Sequence, residues 1–347
     1  MSERRLYLDA GLGESRGVVT LDGRPERLII ARDGDLARQA LGARCVALVR
    51  RVERASALAF LDLGEGPDAV LNLPPQGERL IEGAAVEIEI RSQARADKGP
   101  SARLLGAADG PPRLVAPGPS LEAQLRGFAS RAEVRTGAIA RSMADIAQEE
   151  ALATAFVLPG GGSIAVETTR ALTAVDVDLG ARQGADAKRA ARTANVAALS
   201  TAARILRLKG LGGLVVIDLV GRGHDAPALL AAARAAFGPD NPGVALGAIS
   251  RFGLIELTVP RRARGALDIL TEGGATPTAL TVALGLVRAL ERQAASDGGG
   301  RFEALAGPRV AQAAAPLLAA LQARLGGRVS LAAQPHWASA DVEIVRR

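Results

Sequence analysis

Two apolar runs that each end in aspartate constrain this chain more than any other feature. The first is Ala171-Leu-Thr-Ala-Val-Asp176-Val-Asp178, and the second is Gly212-Gly-Leu-Val-Val-Ile-Asp218. Continuous apolar runs read as strands buried on both faces. Residues from about Ala187 to Leu208 have helical spacing, so the two strands are expected to lie parallel, joined by a right-handed crossover. Parallel neighbours bring their carboxyl ends to one sheet edge, where α/β sheets place ligands. Asp176 and Asp218 are therefore expected to converge. Close carboxylates repel unless a proton or cation sits between them. Magnesium accepts one or two carboxylates and completes its shell with water and substrate phosphate. Asp178 lies two residues beyond Asp176, on the same strand face, and reads as a third ligand or a hydrogen-bonding support. A strand-terminal Asp also caps helices and turns chains; the matched ends of the pair favour the metal reading.

Composition narrows the chemistry. A chain of 347 residues has room for two or three domains. Aromatics make up only 2%, so the cores must be aliphatic and base-stacking platforms are few. The net charge of +6 is carried almost wholly by arginine, with lysine only at Lys98, Lys188 and Lys209. That balance suits a polyanionic partner, and a GC-rich genome would also produce it. The single cysteine, Cys45, allows no internal disulfide and no cysteine-based zinc site. With two distant histidines, metal chemistry must rest on carboxylates and a hard cation. No apolar signal segment follows Met1, and no run of 18 uncharged apolar residues exists. A cytoplasmic location and no membrane span are therefore expected.

Residues 5–31 read as two or three strands with a turn at Asp22-Gly23. Residues 43–105 look all-β, with strands at Cys45–Val49, Ala57–Asp62, Ala69–Asn72 and Val86–Arg91, and turns at Gly64–Pro67 and Gly77. Such short strands in about sixty residues suggest a small OB-type barrel. Residues 107–119 read as a Gly/Pro linker, and 119–155 as helical. After the breaker Pro159-Gly-Gly-Gly162 come a hairpin (Ser163–Glu167 with Ala171–Asp178), the helix and the second strand. A further helix follows near Ala226–Phe237, and then one strand over Ala248–Pro260, broken at Gly253. The tail, 265–347, reads as a separate α/β module with helices near 277–292 and 307–325. Its strands are expected near Arg328–Ala332 and Asp341–Val345.

Three segments carry a resemblance. They are Ser163-Ile-Ala-Val-Glu-Thr-Thr-Arg-Ala-Leu-Thr-Ala-Val-Asp-Val-Asp178, the run from Asn195 through Arg204-Ile-Leu-Arg-Leu-Lys-Gly210 to Asp218, and Ile249-Ser-Arg-Phe-Gly-Leu-Ile-Glu-Leu257. In order and spacing they resemble the catalytic region of the ribonuclease E/G family. The resemblance implies a magnesium-dependent endoribonuclease that cuts single-stranded RNA to 5′-phosphate and 3′-hydroxyl ends, with manganese as the alternative metal. It places the metal on Asp176 and Asp218. It puts Asn195 nearby to orient water or a carboxylate, and Arg251 facing substrate. Asp178 stands where the family usually has Asn. Ala59-Phe60-Leu61-Asp62-Leu63-Gly64 and Asp97-Lys98-Gly99 resemble the family's S1 barrel. Phe60 would then stack on a base and Lys98 contact RNA, although Phe60 also reads as a core aromatic. Val70 replaces a second expected aromatic. Glu133-Val-Arg135-Thr136-Gly137 resembles the segment that binds a 5′-monophosphate, through Arg135 and Thr136.

The implied fold is α/β (α+β): a DNase I-like and RNase H-like catalytic core, an inserted OB-type S1 β-barrel and a small C-terminal α/β domain. The expected divisions are 1–37 (first strands of the core), 38–106 (barrel) and 107–158 (linker and reduced 5′-sensor/RNase H-like region). The DNase I-like core takes 159–264 and the small domain 265–347. Much of the family's middle segment is missing, as is its zinc-sharing cysteine pair. Leu270-Thr-Glu-Gly-Gly-Ala-Thr-Pro277 stands there instead, so any homodimer would lack a zinc link. These departures support a rival reading, a catalytically degenerate paralogue that binds RNA or a ribonucleoprotein. A third is an enzyme specialised for one structured RNA. Arg50, Arg51, Arg54 and the Arg261–Arg264 cluster read equally as phosphate contacts or as a solvated face. His224 reads as a surface residue and Cys45 as a small buried one.

Overall fold

The computed structural model describes residues 3–73, 80–95, 98–180, 187–239, 243–338 and 340–347. The expected turn at Gly77, and Asp97 of the Asp97-Lys98-Gly99 loop, lie outside them.

The chain opens with an antiparallel meander, β1 (Arg4–Ala10), β2 (Glu14–Leu21) and β3 (Arg24–Arg32). Leu21 pairs with Arg24, leaving Asp22-Gly23 as a two-residue turn. Both turn residues have positive φ (50° and 81°), the type I′ geometry that matches strand twist and that Asp-Gly tolerates.

Next come β4 (Arg44–Glu53), β5 (Leu58–Asp62), β6 (Ala69–Asn72), β7 (Ala85–Ser92) and β8 (Ser101–Ala107). They close a ring in the order β4-β5-β6-β8-β7-β4, with β6 and β8 parallel. Alternate residues such as Ala47, Val49, Ala59, Leu61, Ile88 and Ile90 fill its interior. Cys45 is among them, and burial pushes its thiol up to about 11. The segment read as a linker contains a further strand, β9 (Arg113–Ala116), which pairs with Arg44–Val46. Its Gly/Pro surroundings hid it, because only the exposed edge of β4 makes it a strand.

Helix α1 (Leu121–Arg126) and β10 (Val134–Arg135), which joins β1 in parallel, lead into α2 (Ala138–Leu152). The buried face of α2 is Ala140, Ala144, Ala147 and Ala151. Small side chains at that spacing let the helix lie close to the N-terminal sheet.

The six-stranded sheet is built from β11 (Ala155–Val157), β12 (Ser163–Thr168), β13 (Thr173–Asp178), α3 (Ala187–Lys209), β14 (Gly213–Asp218), α4 (Ala226–Phe237), β15 (Ala245–Ile249) and β16 (Leu254–Val259). Its order is β11-β12-β13-β14-β16-β15. β13 and β14 run parallel, as expected from the helix between them. The strand expected over Ala248–Pro260 is instead a hairpin, β15 and β16, turned at Ser250–Gly253.

Burial on both faces is also overturned. Val175, Val177, Val215 and Ile217 are buried in the core shared with α3 and α4. Asp176, Asp178, Leu214 and Asp218 point the other way and are exposed. Ala and Val on a bare sheet face look, in sequence, like Ala and Val in a core.

The chain ends with α5 (Ala266–Leu270), a two-stranded ribbon of β17 (Thr271–Glu272) and β18 (Thr276–Pro277), α6 (Ala279–Ser296), β19 (Phe302–Ala306), α7 (Pro308–Leu325), β20 (Val329–Ala333) and β21 (Val342–Arg346). β19, absent from the sequence reading, is the middle strand of this last sheet. Among the described residues no helix is long and apolar enough to cross a membrane.

Buried charges fasten this module to the N-terminal sheet. Glu14 is 2% exposed and accepts from Arg288 (2.7 Å) and Arg32 (2.8 Å). Arg16, 1% exposed, donates to Asp9 at 2.6 Å. The β1–β2 turn fits so tightly that a Cβ at Gly13 would lie 2.5 Å from Leu317, at a φ of +74°.

A second buried charge sits at the end of α3. Lys209 donates to the Ala153 carbonyl at 2.5 Å, and desolvation lowers it from 10.5 to about 8, with Glu150 opposing. Between those values the unfolded chain binds the extra proton, so stability from this group rises with pH across that window. Below about pH 8 both states are protonated, and the full cost, on the order of 3 kcal/mol, is present. Thermal melts from pH 7 to 10.5 should show wild type gaining stability relative to Lys209→Met. Parallel curves for the two proteins would reject this.

Candidate active site

The register of the sheet decides which carboxylates meet. Asp176 pairs directly with Asp218 across β13 and β14, and both leave the sheet on its open face. Adjacent strands lie about 4.8 Å apart, so the two side chains start as neighbours. The row continues as Ala155, Ala165, Asp176, Asp218 and Leu254. Alanines on one flank leave room above the pair. Among the described residues neither carboxylate has a hydrogen-bond or ion-pair partner. Two unpartnered like charges at this spacing repel by about 1 kcal/mol in water, which a shared cation reverses.

Asp178 is differently placed. It stands beside Ser163, one step along the strand, and its Oδ1 accepts from the Gly180 amide at 2.7 Å. That bond turns the chain after β13. Among the described residues no three His, Cys, Asp or Glu side chains gather closely enough to hold a metal. Asp176 and Asp218 offer two carboxylates, a pair that fits a cation that keeps most of its water, as magnesium does.

Asn195 does not face the pair. It is buried on α3, where its Nδ2 donates to the Val220 carbonyl and its Oδ1 accepts from the Val220 amide, both at 3.0 Å. This clamp holds the backbone two residues beyond Asp218. The same loop is pinned from the other side by Leu219 N–H donating to the Gly253 carbonyl at 3.2 Å. At Gly221 (φ +92°) a Cβ would lie 3.0 Å from that of Ala191, so the loop lies flush on α3.

The turn Ser250–Gly253 therefore borders the carboxylates. Ser250 Oγ accepts from the amides of Phe252 (3.3 Å) and Leu254 (3.2 Å), which stiffens it. Arg251 is exposed, with its guanidinium 4.7 Å from the Phe252 ring centroid. Phe252 is 71% exposed and escaped the sequence reading. Its one available signal was an aromatic beside Arg and Gly in a chain nearly devoid of aromatics. His224, expected at the surface, is half-buried, and a Cβ at Gly253 would lie 3.0 Å from its Nε2.

The other expected residues lie on other elements. Phe60 points outward from the ring of strands, opposite Val70, with Arg51 4.5 Å from its centroid. It is half-buried and is not a core aromatic. Lys98 is exposed in the loop before β8. Arg135, half-buried, lies 5.9 Å from the Tyr7 ring, and Thr136 is exposed just before α2. Arg50 pairs with Asp62 (2.9 Å) and Arg51 with Glu53 (2.9 Å). Arg261 pairs with Asp268, and Arg264 with Asp35 at 2.6 Å. Those two arginines of the cluster serve as joints between elements.

Comparison with known proteins finds one family. Residues 123–262 match the ribonuclease E/G family model. Ribonuclease E of Escherichia coli is 35% identical over 140 residues, 39% of this chain and 13% of that protein. Ribonuclease E of Haemophilus influenzae is 39% identical over 107 residues, 30% of this chain and 11% of its own length. Ribonuclease G of Salmonella typhimurium is 26% identical over 211 residues, 57% of this chain and 43% of its own. The matched stretch thus spans less than half of each of these relatives.

Proposed function

We propose, from the match of residues 123–262 to the ribonuclease E/G family model, that the protein is a cytoplasmic endoribonuclease that hydrolyses internal bonds of single-stranded RNA, leaving 5′-phosphate and 3′-hydroxyl ends. The observation that carries the reading is the register of Asp176 with Asp218 on an open sheet face. Those two carboxylates would hold magnesium. Bound there, the cation would polarise a phosphoryl oxygen and lower the pKa of a water. Asp176 and Asp218 supply negative charge that draws the metal in. Asn195 positions Asp218 through Val220, and Asp178 fixes the end of its own strand by bonding Gly180.

The RNA-binding surfaces follow. Arg251 and Phe252 present a cation and a ring beside the pair, suited to one phosphate and one unpaired base. Phe60 and Lys98 offer the same on the small barrel, whose ring order, with β6 parallel to β8, supports an OB-type S1 domain. The six-stranded sheet with α3 and α4 on one face supports a DNase I-like core over 159–264, and the N-terminal sheet with α2 a reduced RNase H-like unit. Arg135 and Thr136, at the start of α2, would receive a 5′-phosphate.

The test is an end-labelled single-stranded RNA incubated with magnesium, with manganese and with EDTA. Cutting should require a divalent metal, vanish in EDTA and leave 5′-phosphate ends, and Phe252→Ala should weaken RNA binding by about 1–3 kcal/mol. A wild-type protein that binds the RNA and never cuts with either metal would establish the binding paralogue instead.

A further inference from the structure

A pocket of about 240 Å³ lies at the far end of β14 from Asp218, where Gly213 pairs with Val259. At about 3.3 Å per residue, that end of the strand is roughly 17 Å from the carboxylate pair. The pocket opens between the ends of α3 and α4, strand β3 and the segment after β16. Its apolar wall is Leu206, Leu211, Phe237 and Val259, all buried. Phe128 adds a half-buried ring, with the Arg27 guanidinium 4.4 Å from its centroid. A ring paired with a planar guanidinium is a surface on which an unpaired base stacks.

The rest of the lining is positive. Arg207, Arg261 and Arg262 reach the pocket, and no acidic residue lines it among the described residues. Arg207 is held by Glu26 and by the Ala236 carbonyl at the end of α4, and Arg261 by Asp268. Two donors are left over. The Nε of Arg261 is buried and meets no hydrogen-bond acceptor among the described residues. Arg262 is exposed, and its side chain has no partner among the described residues. A buried donor left unmet is destabilising, and a phosphate oxygen is an acceptor that relieves it. Charge is crowded here as well. Burial first, and the nearby charge of Arg261 second, hold the Arg95 guanidinium below its ordinary value, with Asp268 opposing. Neither Arg135 nor Thr136 lines the pocket. Arg135 lies on β10 and Arg27 on β3, opposite edges of the N-terminal sheet.

We propose that this pocket holds one unpaired nucleotide of the RNA, its base against Phe128 and its phosphate on Arg261 and Arg262, remote from the bond that is cut. The inference takes its ligand from the nuclease reading. Stacking and phosphate contacts carry the binding, so the pocket is indifferent to base identity.

The test measures binding without cleavage. A fluorescein-labelled single-stranded RNA is titrated in EDTA at several salt concentrations. One lost phosphate contact lowers the slope of log affinity against log salt by about 0.7, so Arg262→Gln should lose that slope and bind about fivefold more weakly at ~0.1 M salt. Phe128→Leu keeps an apolar side chain against the cluster of Leu6, Val19 and Leu125 and removes the ring. It should weaken binding about fivefold with the slope unchanged. Arg309→Gln, which removes an exposed, ion-paired charge from α7, should leave both quantities alone. Unaltered RNA binding in the two pocket variants, or an equal loss in the control, overturns the proposal. AMP is titrated in parallel by saturation-transfer NMR. If AMP binding needs Phe128 and Arg262 while RNA binding needs neither, the pocket serves free nucleotides and the proposal is likewise overturned. If wild type never cuts with magnesium but both pocket variants lose RNA affinity, the pocket stands and the nuclease reading falls; cutting with unaltered affinity gives the reverse.

Discussion

Asp218→Asn and Asp176→Asn should each lower single-turnover RNA cleavage by about a thousandfold or more, a loss of roughly 4 kcal/mol in transition-state stabilisation. The substitution keeps volume and removes charge. Both side chains are exposed on the sheet's open face, and neither has a partner among the described residues. Removing one charge also relieves the repulsion within the pair, so thermal stability should hold or rise by up to about 1 kcal/mol. A lost rate with an undiminished melt assigns the effect to chemistry. Asp178→Asn is the contrasting case. An amide oxygen can accept from Gly180 as the carboxylate does, so its rate should stay within about tenfold of wild type. Equal losses at all three positions would make Asp178 a metal ligand. Unimpaired cleavage by Asp176→Asn would remove the pair from the mechanism.

The second large effect is on stability. Glu14→Gln should destabilise the protein by about 3–5 kcal/mol, because Arg288 and Arg32 both donate to that carboxylate and would be left charged against an amide. Glu14 and Arg288 are both nearly inaccessible to water. Arg288→Leu should cost a similar amount by stranding Glu14. Replacing both, Glu14→Gln with Arg288→Leu, should cost less than the two singles combined, since no unpaired buried charge remains between them. Urea melts of the four proteins close the cycle. Additive losses would show that the two groups do not act as a pair.

The parts of this molecule that follow from local pattern were legible in its sequence. The Asp22-Gly23 turn, the helices around Ala187–Leu208 and Ala226–Phe237, and the parallel pairing that brings Asp176 to Asp218 rest on turn chemistry and periodicity. What was hidden depends on partners distant in the chain. Phe302-Glu-Ala-Leu-Ala306 is a strand because Val329–Ala333 and Val342–Arg346 flank it, and its alanines favour a helix on their own. The bond from Asn195 to Val220 was likewise invisible, since a buried amide is recognised only by what it meets.

The pairing of Glu14 with Arg288 has a consequence for synthesis. The two residues are 274 positions apart. At about 5–20 residues per second, the ribosome adds Arg288 roughly 15–55 s after Glu14. Through that interval the carboxylate has no Arg288 to bury against, so the N-terminal sheet cannot reach its final packing. The sheet that holds Glu14 is made before the helix that completes it, and is finished only when that helix arrives.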